Sequence, residues 1–128
     1  MKKIGVFINC RDYPFIESIL RGDKRGETRT KDMLRRMFGP EEKVSVELIE
    51  TGTGKPIVRG RAIFEKGIKY NPAALNLFEP VLKIAHTKYD SGSDGKYVYW
   101  IQNPERCEEY YLPENVIRHG RSWCEWEV

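Results

Sequence analysis

Phe15-Ile16-Glu17-Ser18-Ile19-Leu20-Arg21-Gly22-Asp23-Lys24-Arg25-Gly26-Glu27-Thr28-Arg29 is the stretch on which the reading of this chain turns. Phe15, Ile16, Ile19 and Leu20 recur at helical spacing, Asp12 can cap the helix and Pro14 suits its first turn. Gly22 supplies the residue that favours the conformation just past a helix end. A turn then delivers a cation, a carboxylate and a guanidinium in quick succession. If Glu27 opens a strand, Glu27 and Arg29 share a face because strand side chains alternate with period two, and Lys24, in the turn, is free to converge on them. The carboxylate could fix the guanidinium for phosphate or a base edge, or accept from an exocyclic amine such as that of cytosine. The same three residues equally describe a solvated cluster of surface ion pairs worth about 0–1 kcal/mol each.

Upstream, residues 3–10 form a β-branched and aromatic run that predicts a buried strand. Downstream, residues 23–30 contain nothing apolar for a core, and Thr30 can cap a short helix carrying Met33, Leu34, Met37 and Phe38 before Gly39-Pro40 stops it. Val44, Val46 and Leu48 alternate with polar residues, a second β-rich run covers 56–64, and Thr51-Gly52-Thr53-Gly54 between them reads as a hairpin turn. Residues 72–86 have helical spacing interrupted by Pro80, which predicts one kinked helix or two short ones. Residues 90–95 read as an exposed loop tip, and residues 96–102 as the clearest strand, ended by Asn103-Pro104. A tail of loop and short helix leads to a last strand in which Cys124, Trp126 and Val128 share one face and Trp123 takes the other. Five or six strands with two or three inserted helices and no βαβ rhythm predict a small mixed α+β barrel, largely antiparallel, with residues 1–128 as one domain.

Composition bounds the possibilities. A chain of 128 residues with 40% hydrophobic and 12% aromatic residues can build its own core, which argues against disorder. No apolar run approaches the ~18 residues of a membrane span, and the opening apolar run is too short for a signal peptide. Three unpaired-looking cysteines, Cys10, Cys107 and Cys124, point to a reducing compartment, read here as cytoplasmic, with Cys10 and Cys124 as small buried hydrophobes. With only His86 and His119, no zinc-site spacing exists, so no metal and no cofactor are expected. The net charge of +3 is unevenly spread: residues 21–36 hold seven cations and three acids, while the remainder is close to neutral. That concentration suits a phosphate-bearing partner, though a charge-rich stretch is also what a solvated face looks like. Tyr97, Tyr99 and Trp100 alternate on one strand, where an exposed ring could stack a base, but most aromatics of so small a chain are core. Tyr110-Tyr111 sits among acids and reads as packing or an edge.

The central segment resembles the signature of the ASCH family within the PUA-like superfamily, Gly-x-Lys-x-x-Glu-x-Arg after a helix, on Gly22, Lys24, Glu27 and Arg29. The hairpin over 44–64, the strand ending in Asn103-Pro104, and the closing Pro113, Gly120 and Trp123 are similar to later parts of that family, so the resemblance runs from Ile4 to Trp123. It implies a β-barrel with a basic cleft beside the first helix that binds RNA, a nucleotide or a modified nucleoside. The binding candidates are Lys24, Arg25, Glu27 and Arg29, with Asn103 and Trp123 at the rim. Some relatives hydrolyse acetylated cytidine with Thr where this chain has Glu27, and a carboxylate there departs from that route; Thr28 would face away. Other relatives cut RNA, and a Lys24/Glu27 pair could do acid–base work in a hydrolase. A non-catalytic interaction domain, using residues 75–84 or Tyr110-Tyr111, is the remaining alternative.

Overall fold

A computed structural model of the chain describes residues 1–84 and 94–128. Ala85, His86 and the first four residues of the loop expected over 90–95 lie outside the described residues. Eight strands and four short helices appear in the order β1 (Lys2–Asn9), α1 (Phe15–Leu20), β2 (Gly26–Arg29), α2 (Arg35–Phe38), β3 (Lys43–Thr51), β4 (Ile57–Glu65), β5 (Ile68–Tyr70), α3 (Pro72–Leu77), α4 (Glu79–Leu82), β6 (Lys96–Tyr111), β7 (Ile117–His119) and β8 (Trp123–Glu127). The strands pair in the order β2-β6-β4-β3-β1-β8-β7, with β5 also on β6. All described pairs are antiparallel except β1 with β3. This is a mixed sheet curled into a half-barrel, as the alternating and β-branched runs predict.

The main core fills the concave side: Val6 and Ile8 of β1, Ile16 and Ile19 of α1, Leu34, Phe38, Leu48, Phe64 and Tyr99. Phe7, Ile49, Val58, Cys124 and Trp126 form a second cluster, so Trp123 and Trp126 do bury on opposite faces of β8. Leu75, Leu82, Ile84 and Val98 form a third, under α3 and α4. Both faces of β6 are therefore covered near its start. Tyr99 is fully buried and stacks on Phe38, while Trp100 meets Tyr70 and Phe78 edge-on.

Several expectations need correction. The strand from Lys96 does not end at Asn103-Pro104 but runs sixteen residues to Tyr111. Asn103 takes φ +49 and, with Pro104, opposes Ala62 alone, because Arg61 faces Glu105 while Ile63 faces Gln102. A bulge accommodates a residue without an N–H and re-aims the strand instead of stopping it. The continued β6 and β7 also replace the short helix expected in the tail. Four helices stand where two or three were expected, since Pro80 separates α3 from α4, and the second helix shrinks to Arg35–Phe38 with Met33 left exposed. The polar stretch 23–30 is not all solvent-facing: Lys24, Gly26 and Glu27 are buried.

Close approach at Gly60 locks α1 onto the sheet. A Cβ there would lie 2.6 Å from the Glu105 carbonyl oxygen and 2.7 Å from Leu20 Cδ2. Gly60→Ala is expected to lower stability by about 1–3 kcal/mol in a urea titration; an unchanged midpoint would contradict this packing.

Candidate functional site

The end of α1 aims the site. Gly22 has φ +82; its N–H donates to the Ile19 carbonyl at 3.0 Å, and the Asp23 N–H donates to the Ser18 carbonyl at 3.0 Å. This paired arrangement is the Schellman ending, which turns the chain sharply and satisfies the last helical carbonyls. The chain re-enters the body of the protein at Lys24, whose side chain is 1% exposed. Its Nζ sits 5.0 Å from the centre of the Phe15 ring and donates to the Leu82 carbonyl at 2.5 Å. Burial holds the Lys24 ammonium below its ordinary pKa and the Arg29 charge acts the same way, while the Glu27 and Glu79 charges oppose them.

Next, β2 pairs with β6 so that Glu27 faces Tyr99 and Arg29 faces Tyr97. Glu27 and Arg29 thus share the concave face, as period-two alternation requires. Arg29 Nη2 lies 3.1 Å from Glu27 Oε2 and donates to the Phe7 carbonyl at 2.8 Å. The Thr28 N–H donates to the other carboxylate oxygen, Glu27 Oε1, at 3.3 Å. A carboxylate held from two sides cannot swing away, and its remaining lone pairs keep a fixed direction.

These groups meet at a hollow of about 320 Å³ between β2 and the end of β1. Lys24, Glu27 and Arg29 all line it, joined by Lys96 and Arg121, with Phe7 and Phe15 among its apolar contributors. Four cations therefore surround one acid, and the volume falls at the lower end of the ~300–1,000 Å³ that small-ligand sites occupy. Thr28, expected to face away, also contributes to the lining.

The structure does not bring the other sequence candidates to this place. Arg25 is exposed and donates from Nε to the Gly22 carbonyl at 3.2 Å. Asn103 occupies the β6 bulge. Trp123 is 5% exposed, buried in the main core and stacked on His119 with ring centres 3.9 Å apart, so its ring is not presented to solvent. None of the three lines the hollow. Sequence reading missed Lys96, at the start of β6, and Arg121, after the Gly120 turn, because no local pattern links either to residues 22–29. The interaction-domain surfaces are mostly consumed by packing: Leu75, Leu82 and Ile84 are buried, Tyr110 packs on the second cluster, and Leu77 and Tyr111 remain exposed.

The depressed ammonium has a measurable sign. Between the folded-state pKa of Lys24 and the unfolded value near 10.5, the unfolded chain holds the extra proton, so this group makes stability rise with pH. The cost of burying its charge is fully present below that window. Urea midpoints of the native chain and of Lys24→Met, compared from neutral pH up to 10.5, should converge or separate in favour of the native chain as pH rises. Parallel curves would contradict the buried, charged lysine.

No protein-family model and no curated protein matches the chain. Solved structures do. The crystal structure of ASCH from Zymomonas mobilis superposes with TM-score 0.69 at 16% identity, covering 93% of this chain and 85% of that one. Two structures of mutants of that protein give TM-scores of 0.64 at 17% identity and 0.67 at 16% identity, covering 93% of this chain and 87% and 85% of theirs. The overall fold is thus shared, and the chain has an ASCH-like fold, a mixed α+β half-barrel.

Proposed function

We propose that this chain binds RNA, a nucleotide or a modified nucleoside, taking the base into the hollow between β1 and β2. The observation that carries this is the pairing of a fixed acceptor with a buried donor: Glu27, held by Arg29 and the Thr28 amide, beside the Lys24 ammonium. Lys24 spends one donor on Leu82 and carries others, and Glu27 retains accepting capacity. A base edge that offers an exocyclic amine next to ring acceptors, as cytosine does, complements that set. Lys96 and Arg121 suit an attached phosphate. The ASCH-like fold is consistent with such a ligand. Among the described residues no helix is long and apolar enough to cross a membrane, and nothing in the site calls for one.

Binding is preferred over hydrolysis because Glu27 is tied to Arg29 and shares no hydrogen bond or ion pair with Lys24, which leaves the carboxylate a positioned acceptor instead of a partner that activates the amine. Calorimetric titration with cytidine monophosphate tests the reading. Glu27→Gln and Lys24→Met should each weaken binding by about 1–3 kcal/mol, roughly fivefold to 150-fold, with the fold retained by circular dichroism. Undiminished affinity in both variants, or no binding to the native chain, would overturn it.

A further inference from the structure

Cations on the strands and those on α2 differ in their surroundings. Lys2, Lys3, Arg59, Arg61 and Arg106, on the strands, are each ion-paired with a glutamate. Arg35 and Arg36, at the start of α2, are exposed and have no ion-pair partner among the described residues. The acid of their own segment is turned away from them: Asp32 accepts the Tyr99 hydroxyl at 2.5 Å, and Tyr99 in turn accepts the Leu34 N–H at 3.3 Å. Such an arrangement spends the negative charge inside and leaves the positive charge outside. It is the reverse of what a surface built only for solubility needs, where both signs are interspersed.

Arg35 and Arg36 line a second concavity of about 450 Å³ with Gly39 and Lys66. Nothing lies within 4 Å of where a Gly39 side chain would begin, so the space beside Gly39 is open. Glu42 is the counter-charge at its margin, 4.0 Å from Lys66 and 82% exposed. Two concavities therefore flank one short piece of chain, because Thr30 and Met33 line the first and Arg35 lines the second. Successive Cα atoms are about 3.8 Å apart, so the Cα atoms of Met33 and Arg35 can be no more than about 7.6 Å from each other. Both concavities thus border the short segment from Thr30 to Arg35.

We infer that Arg35, Arg36 and Lys66 form a phosphate subsite, so that the base in the hollow belongs to a single-stranded polynucleotide and not to a free nucleoside. This rests on the hollow being a base site. A mononucleotide reaches Lys96 and Arg121 but carries no second phosphate for α2, whereas a phosphodiester chain supplies one at each step. Guanidinium groups suit phosphate oxygens by their planar paired donors.

Fluorescence anisotropy with labelled single-stranded RNA and DNA of one sequence, about 12 nucleotides long, reads the subsite in the full chain. Replacing Arg35 and Arg36 together by alanine should weaken both oligonucleotides and reduce the slope of log affinity against log salt by about 0.7, the value for one phosphate. Cytidine monophosphate affinity should stay unchanged. Arg35→Lys with Arg36→Lys should restore most of the salt slope. An unchanged oligonucleotide slope, or an equal loss for the mononucleotide, overturns the subsite and leaves the base site standing. Oligonucleotide binding that needs the two arginines but ignores Glu27→Gln supports the subsite and removes the base site. Equally tight, arginine-dependent binding of polyglutamate overturns the inference by making this a generic anion surface.

Discussion

One guanidinium spans the gap that strand pairing leaves open. Arg29 on β2 reaches the Phe7 carbonyl on β1 at 2.8 Å and the Glu27 carboxylate at 3.1 Å, although β1 and β2 lie far apart in the strand order. The half-barrel is held together at that place by a side chain and not by a ladder of backbone bonds. Because side-chain atoms take the position of a paired strand, space remains beside them, and the space is the hollow. The same contact fixes the acceptor direction of Glu27. Stability at the seam and the shape of the hollow thus depend on one guanidinium.

Lys24 is the second constraint. Burying an ammonium is costly unless it is compensated, and here compensation comes from one carbonyl, one aromatic face and the Glu27 and Glu79 charges. A chain selected for stability alone could place an apolar residue there. Retaining a lysine at 1% exposure on the wall of a concave basic site is reasonable if a ligand supplies the missing acceptors. The Schellman turn at Gly22 is what makes the placement possible, since it sends the chain inward directly after α1.

Much of this was legible in the sequence, for identifiable reasons. The apolar spacing of Phe15, Ile16 and Ile19, the Gly22 turn and the alternation of Glu27 with Arg29 are local signals, and the structure places Lys24, Glu27 and Arg29 together. The hairpin of β3 and β4 and the break at Pro80 are equally local. What sequence could not give is where distant segments meet. Asn103-Pro104 carries the local marks of a strand end, yet its antiparallel partner β4 continues past it and absorbs the pair as a bulge. Residues 23–30 looked wholly polar, but Lys24 is buried against Leu82, far away in the chain, as well as the nearby Phe15 ring. Trp123 follows the alternation expected of it and is nonetheless covered by His119. Lys96 and Arg121 enter the site through topology alone.

The most direct measurement is an amide-resolved NMR titration of the native chain with cytidine monophosphate. The largest shifts are expected at Phe7, Ile8 and Asn9 of β1, at Lys24, and at Glu27, Thr28 and Arg29 of β2, the backbone that borders the hollow. Shifts concentrated instead at Tyr111, Leu112 and Arg118, around the separate concavity at the far end of β6, would contradict this.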